Sequence, residues 1–256
     1  VPRLLTYNVH RCVGADVRAD PGRIAAVIAA CAPDIVALQE LDVGRARTGG
    51  IDQAHAIARR LDMDFHFHPA LHVEEERYGN AVLTALPLRL VRAGALPGLT
   101  WRPRLEPRGA LWVEVATGGG TLQVINTHLG LLARERVAQV EVLLGPAWLG
   151  HPHCRDAPAV LLGDFNAVPG SRAYALLAGR LRDAQRAVPP PPAARRRPRA
   201  TFPARWPVLR IDHVFLGPGI TPRGAEVRRG PLERIASDHL PLVVDLHLAS
   251  GTDTAA

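Results

Sequence analysis

The sequence predicts an α/β fold in which stacked β-sheets are flanked by helices. Apolar runs of strand length recur along the chain, several of them continuous rather than alternating, and capped amphipathic helices fall between them. A continuous apolar strand belongs to a sheet covered on both faces. Strands interspersed with helices, some joined like hairpins, point to more than one sheet in the same unit.

The first strand covers residues 3–7. A helix follows, with Asp20 as N-cap and Pro21 at its first position; Ile24, Val27, Ile28 and Cys31 share one face, and Pro33 stops it. A second strand lies at 34–38, and Asp52 caps a second helix carrying Ala54, Ile57, Ala58 and Leu61. Strands follow at 81–84, 111–115 and 122–126, the last two joined through Gly118, Gly119 and Gly120. A third helix spans 134–144 with Val137, Val140 and Leu144 in a stripe, and after a strand at 159–162 a short helix covers 174–177. Strands at 211–216 and 242–246 close the series. Residues 189–199, rich in Pro and Arg, read as a surface loop, and no shift in composition divides the chain. The reading is one domain over 1–247 and a flexible tail over 248–256.

With 256 residues, 47% of them hydrophobic, the chain buries a substantial core without disulfides. Cys12, Cys31 and Cys154 are odd in number and unpaired in spacing, as expected of buried small side chains. A net charge of +7 favours an anionic substrate. Every basic residue is Arg, which suggests coding bias and weakens any choice among nucleic acid, phospholipid and small phosphate esters. No apolar run reaches the roughly 18 residues of a membrane span, and no signal peptide pattern opens the chain at Val1. The expectation is a cytoplasmic monomer with no transmembrane segment, an upstream segment being left open.

Polar motifs stand where apolar runs stop: Thr6-Tyr7-Asn8-Val9-His10, Leu38-Gln39-Glu40, Asn126-Thr127-His128-Leu129, Gly163-Asp164-Phe165-Asn166, Ile211-Asp212-His213 and Ser237-Asp238-His239-Leu240-Pro241. An unpaired buried polar group costs several kcal/mol, so their recurrence next to strands points to one shared site. Glu40 reads as the end of a strand, with Gln39 facing the other way. Asn8, Glu40, Asp164, Asn166 and Asp238 are oxygen donors, the chemistry a hard cation such as Mg²⁺ or Mn²⁺ takes; no thiolate or paired-His spacing speaks for zinc. Asp212 and His239 suit a pair in which a carboxylate fixes an imidazole's tautomer, and His128 can offer a ring N–H to a phosphoryl oxygen. A metal, a positioned water and such donors are the parts that phosphoryl transfer needs.

Gly163-Asp164-Phe165-Asn166 after Val160-Leu161-Leu162, followed by Pro169-Gly170-Ser171, and Ser237-Asp238-His239-Leu240-Pro241 before a last strand resemble the endonuclease/exonuclease/phosphatase superfamily. The resemblance runs from Leu4 to about Leu246, with the motifs in the family's order. It implies a four-layer sandwich, two face-to-face mixed β-sheets flanked by helices, with a Mg²⁺-dependent phosphoesterase site at one edge. By match of motif, Asn8 and Glu40 correspond to the metal-site Asn and Glu, and Asp238 to a carboxylate that helps place the metal. Asp164 and Asn166 correspond to the pair that orients water and binds phosphate, Asp212 and His239 to the Asp-His pair, and His128 to the phosphate-contacting His. Whether His239 or Asp164 takes the water's proton is open at this point. The segment from Arg77-Tyr78-Gly79-Asn80 resembles the one that lies beside the substrate, so Asn80 and Arg77 are expected to bind it. Two further clusters, His66/His68/His72 and His151/His153/Cys154, have loop-like surroundings and belong to no family site.

Ile211-Asp212-His213 stands where inositol phosphatases carry Cys-Asp-Arg, and His213 where abasic-site enzymes usually carry an aromatic residue. The motifs around Asn8 and Glu40, with Arg45 and Thr48-Gly49-Gly50, look most like an uncharacterised bacterial hydrolase group that resembles GPI-anchor lipid-remodelling proteins. The expected function is therefore metal-dependent phosphodiester hydrolysis, with a phospholipid headgroup or small phosphodiester ahead of DNA or RNA. A non-catalytic binding module of the same fold is the third reading.

Overall fold

A computed structural model describes residues 1–188 and 199–249. Among them, twelve strands form two six-stranded sheets. The first contains β1 (Arg3–Asn8), β2 (Ile35–Val43), β3 (Asp64–Val73), β4 (Glu76–Thr84), β11 (Ile220–Val227) and β12 (Leu242–Leu248), in the order β11-β12-β1-β2-β4-β3. The second contains β5 (Leu88–Ala95), β6 (Gly109–Thr117), β7 (Gly120–His128), β8 (Ala159–Asp164), β9 (Arg182–Asp183) and β10 (Asp212–Leu216), in the order β5-β6-β7-β8-β10-β9. Both sheets are mixed: β1 runs parallel to β2 and β7 to β8, while the other pairs are antiparallel.

Three apolar layers hold the sandwich. Leu4, Val82, Val113, Val124, Leu162 and Val214 meet between the sheets. On the outer face of the first sheet, Leu5, Tyr7, Val36 and Leu83 pack against α1 (Pro21–Cys31) and α2 (Gln53–Leu61). On the outer face of the second, Trp112, Ile125, Leu161 and Phe215 pack against α3 (Ala133–Leu144), α4 (Pro152–Arg155) and α5 (Arg172–Ala178). Two single-turn helices, α6 (Ala184–Ala187) and α7 (Glu233–Ala236), complete the set. The four layers are those the resemblance implies. Asp20 accepts the Arg23 N–H at 3.0 Å and Asp52 the His55 N–H at 2.9 Å, the two caps the sequence predicts.

The strands absent from the sequence reading are β3, β5, β9 and β11, and these are the four sheet edges. An edge strand faces solvent along one side and carries no continuous apolar run, so its pattern is diluted. In β3 the alternation is written Phe65-His66-Phe67-His68 and interrupted by Pro69; the three histidines thus lie on a strand, not a loop. His153 and Cys154 lie on α4, which His151 caps, again not on a loop. The expectations for 189–198 and for the tail from 250 onward, including the Arg195 to Arg197 run, fall outside the described residues. No described helix is long and apolar enough to cross a membrane.

Polar groups also cross the inner layer. Gln39 Nε2 donates to Asn126 Oδ1 at 2.8 Å and to Thr6 Oγ1 at 3.2 Å, while Asn126 Nδ2 donates to the carbonyls of Leu38 and Ala81 at 2.9 and 2.8 Å. Asn80 Nδ2 donates across the layer to Gly109 O at 3.2 Å. Truncating Asn126 removes the shortest bond of the Gln39 amide and the side-chain donor to two buried carbonyls. Asn126→Ala should lower unfolding free energy by about 2–4 kcal/mol in urea titration with an unchanged slope. A loss below about 0.5 kcal/mol would show that the sheets do not depend on this tie.

Candidate active site

The strand faces that pack the inner layer turn polar at one end. On β1 the inward series is Leu4, Thr6, Asn8; on β7 it is Leu122, Val124, Asn126, His128; on β8 it is Val160, Leu162, Asp164. β10 runs the opposite way and begins at Asp212, two residues before the inward Val214. Strand period two thus carries each functional side chain to the same edge of the apolar layer. His128 pairs in register with Asp164, and Asp164 with Asp212, so three strands present them side by side. Gly163 allows this approach: its φ is +139°, and a Cβ there would run into Thr127 O.

Glu40 arrives differently from the sequence reading. β2 does not end at Leu38 but continues to Val43, and Glu40 sits in a bulge. Leu38 pairs with Ala81 and Leu41 with Gly79, so Gln39 and Glu40 together face Asn80. The extra residue takes φ +63°. It leaves Gln39 between the sheets and lets Glu40 reach the cleft.

The cleft, about 350 Å³, is lined by Glu40, Tyr78, Arg108, His128, Asp164, Asn166, Asp238 and His239, with Leu131 and Phe202 at its apolar margin. Asn8 Nδ2 donates to Glu40 Oε1 and Asp164 Oδ2, both at 2.9 Å, while Asn8 Oδ1 accepts the His10 N–H at 3.0 Å. Asn8 therefore faces the two carboxylates with its nitrogen. Asp164 Oδ1 accepts the Asn166 N–H at 2.8 Å, and Asn166 is held at φ +48°. His239 Nδ1–H donates to Asp212 Oδ2 at 2.9 Å, an oxygen that also accepts from Thr201 Oγ1 at 2.5 Å. His239 Nε2 faces Asp164 Oδ2 at 3.6 Å.

Charge follows from this packing. Burial disfavours a charged His239, but Asp212 and then Asp164 outweigh it and raise the ring's pKa to about 10. Burial pushes Asp164 up to about 7 against the pull of His239. Burial, with the charges of Arg108 and His239, holds His128 well below the usual histidine range, so it is neutral. Arg108 Nη1 lies 3.1 Å from His128 Nδ1 and always carries its protons, so Nδ1 accepts and the ring proton resides on Nε2. That Nε2–H stands 3.1 Å from Asn166 Nδ2, whose own orientation is set by donation to Leu129 O at 3.0 Å.

Asn8, Glu40, His128, Asp164, Asn166, Asp212 and His239 are thus brought together, and Asp238, with a half-exposed side chain, stands on the rim 3.9 Å from His10 Nδ1. Asn80 is buried deeper, against Gly109 O. Arg77 is exposed on the opposite face of β4, and neither residue lines the cleft. Tyr78 does, and period two counted from the inward Val82 would have found it. Arg108 and Thr201 carried no signal, Arg108 being one basic residue among 31.

The donor set fits a hard divalent cation. Asp164 and Asp212 bring carboxylate oxygens within 4.8 Å of one another beside the His239 ring, and Glu40 and Asp238 add carboxylates to the same cleft. Asp212 Oδ1 is buried and finds no hydrogen-bond partner among the described residues. Of the arginines that line the cleft with these carboxylates, Arg47 is bonded to Asp42 and Arg108 to Glu106 Oε1 at 2.6 Å.

Residues 5–239 match the Endonuclease/Exonuclease/phosphatase family. An Escherichia coli (strain K12) relative, the uncharacterized protein YbhP, is 27% identical over 263 residues, covering 96% of this chain and 96% of the relative. The crystal structure of an endonuclease/exonuclease/phosphatase from Beutenbergia cavernae DSM 12333 aligns over 97% of this chain and 72% of its own, with a TM-score of 0.75 at 28% identity. A mannosyl-6-phosphatase from Bacteroides thetaiotaomicron VPI-5482 aligns over 97% of this chain and 100% of its own, with a TM-score of 0.74; at 19% identity that likeness is one of fold.

Behind Asp212 lies a second buried network. Asp183 Oδ2 accepts from Arg210 Nη2 and from Tyr174 OH, both at 2.6 Å, and His213 Nδ1 lies 4.0 Å away. His213 Nε2–H donates to Ala167 O at 2.8 Å, next to Asn166 in the chain, so this ring holds the turn that carries Asn166. Burial, followed by the Arg210 charge, lowers the His213 pKa from 6.5 to about 4. The unfolded chain therefore binds the proton first: this stability is present above pH 6.5, is lost as pH falls toward 4, and levels off below. Across that window wild type should lose about 3 kcal/mol more unfolding free energy than His213→Phe. Parallel stability curves in urea titrations would refute the buried neutral ring.

Proposed function

Because the chain belongs to the endonuclease/exonuclease/phosphatase family, we propose that it is a Mg²⁺- or Mn²⁺-dependent hydrolase of a phosphodiester, acting by in-line attack of an activated water. One observation carries the reading. His128 Nε2–H and the Asn166 amide are two donors 3.1 Å apart in a carboxylate-lined cleft; the amide spends one N–H on Leu129 O, and the ring N–H has Asp164 Oδ2 facing it only at 3.5 Å. A phosphoryl oxygen is an acceptor that answers both.

Glu40 and Asp238, which share the cleft, are the residues that would hold the cation. When bound, it supplies Lewis-acid stabilisation of the phosphoryl oxygens and balances the converging carboxylates. Asp164 is the water's base in this reading: Asn8 and the Asn166 N–H orient its carboxylate, and burial raises its pKa above the usual carboxylate range, which strengthens it as a base. Asp212 and Thr201 hold the His239 ring, whose raised pKa keeps it cationic beside the phosphoryl charge. Arg108 keeps the His128 proton on the nitrogen that faces the substrate. A phospholipid headgroup or small phosphodiester is favoured over DNA or RNA because the margin of the cleft is apolar at Leu131 and Phe202.

The test is a panel of bis(p-nitrophenyl) phosphate, diacyl and lysophospholipids, sphingomyelin, abasic duplex and plasmid DNA, each with Mg²⁺ or Mn²⁺ and with EDTA. Hydrolysis of a small or lipid phosphodiester should require the metal. Glu40→Ala and His239→Ala should each reduce kcat/KM by about 10²–10⁴-fold. Metal-independent turnover, or a rate unchanged by Glu40→Ala, would sink the assignment. A preference for DNA that falls steeply with salt would replace it with a nuclease.

A further inference from the structure

We infer that the face around the cleft docks on an anionic phospholipid bilayer, which deepens and rests on the lipid reading of the site. β1, β2, β5, β7 and β8 end at the cleft, whereas β4, β6, β10 and β12 begin there, as their pairing directions require. The connections at that end of the sandwich carry nearly all the exposed large apolar side chains among the described residues. Only Val1, Leu90 and Val142 lie elsewhere. At the cleft end, Trp206 and Val208 are 74% and 75% exposed, Leu131 is 67% and Trp101 is 57% exposed, and Val168 and Ile235 belong to the same group. They come from five separate connections, so one patch of sequence does not explain them. Scattered exposed apolar residues need no account, but a concentration of them at the one end of the sandwich that carries the cleft, with Leu131 in its lining, marks an interaction surface.

The composition chooses the occupant. Valine, leucine and isoleucine offer no ring to stack on a base, so a nucleic acid leaves most of this surface unused. A second copy of the chain seated here would cover the cleft that substrate must enter. A bilayer satisfies both demands: hydrocarbon accepts the aliphatic tips, the interfacial region accepts Trp101 and Trp206, and the phosphodiester lies at the depth of the opening. Charge agrees. Arg18, Arg102, Arg104, Arg205 and Arg229 are exposed on these connections. Of the carboxylates there, Asp16 is bonded to Arg23 and Glu106 to Arg108, while Asp20 and Asp52 cap helices, Asp238 is half-exposed on the rim, and Glu74 and Glu75 lie on the β3–β4 turn. Anionic headgroups therefore meet a face rich in arginine.

Flotation of the full chain with vesicles of phosphatidylcholine and phosphatidylglycerol at 7:3 tests this, with pure phosphatidylcholine as reference. Binding should be stronger to the anionic vesicles. The double variant Trp206→Ser/Val208→Ser, and separately Trp101→Ser on another connection, should each weaken partitioning by roughly tenfold. Leu90→Ser, on the far edge, should leave it unchanged. All four proteins should hydrolyse bis(p-nitrophenyl) phosphate at one rate. Failure of the wild type to float, or equal flotation of wild type and both rim variants, overturns the docking surface. So does a concentration-dependent dimer that these variants abolish, which would assign the face to a second copy. Loss of hydrolysis of the soluble diester by wild type, with vesicle binding intact, would instead overturn the catalytic reading and leave the docking surface standing.

Discussion

The Asn8 carboxamide joins the two sheets where their apolar faces end, and the rest of the site is arranged about that contact. Its nitrogen donates at 2.9 Å to a carboxylate from each sheet, Glu40 from β2 and Asp164 from β8. Two carboxylates at the edge of an apolar layer repel each other and resist dehydration, so neither holds its position without a shared donor. His10 N–H occupies the amide oxygen and fixes which way the group points. Ser237 Oγ donates to Asn8 O at 2.8 Å and stands 3.4 Å from Asp238 Oδ1, so the strand end that carries Asn8 also locates the segment bearing Asp238 and His239.

This contact works because the inner layer has one permitted stacking. A purely aliphatic interface between two sheets tolerates sliding, since hydrophobic burial has no direction. The amides of Gln39, Asn126 and Asn80 do have direction, and each reaches a specific partner on the facing sheet. They fix the offset that brings β1 opposite β8. Local strain serves the same end. Glu40 at φ +63° is in a region that costs a non-glycine residue on the order of 1 kcal/mol, and the bulge that imposes it is what separates Gln39, pointing into the layer, from Glu40, pointing into the cleft.

The division between what was legible in the sequence and what was not follows from burial. Central strands announce themselves by continuous apolar runs, and the functional residues at their ends are legible for the same reason: Asn8, His128, Asp164 and Asp212 sit one strand period beyond an inward-facing core residue or, at Asn8 and His128, beyond a buried polar one. The edge strands lack that signal, because half of each faces water. Glu40 was legible as a residue but not as a bulge, since nothing in Leu38-Gln39-Glu40-Leu41 states that the ladder continues through it. Arg108 and Thr201 escaped because their roles are relational. An arginine before a strand becomes informative only once His128 Nδ1 is found beside it, and a threonine only once it meets Asp212.

Chemistry and selectivity are therefore written in different parts of the chain. The proposed reacting groups are attached to strand ends that the inner layer holds, and their charge states follow from burial and from each other: Asp212 and Asp164 set His239, and Arg108 sets His128. The surface that a substrate meets first is built from connections, where Leu131, Trp206 and Val208 project without support from the core. Connections tolerate change in a way that inward strand faces do not. A fold that keeps Asn8 against Glu40 and Asp164 can retain phosphoester chemistry while its rim is rewritten for a different carrier of the phosphate. Hence the four-layer likeness to a sugar phosphatase at 19% identity leaves the substrate to be decided by the rim.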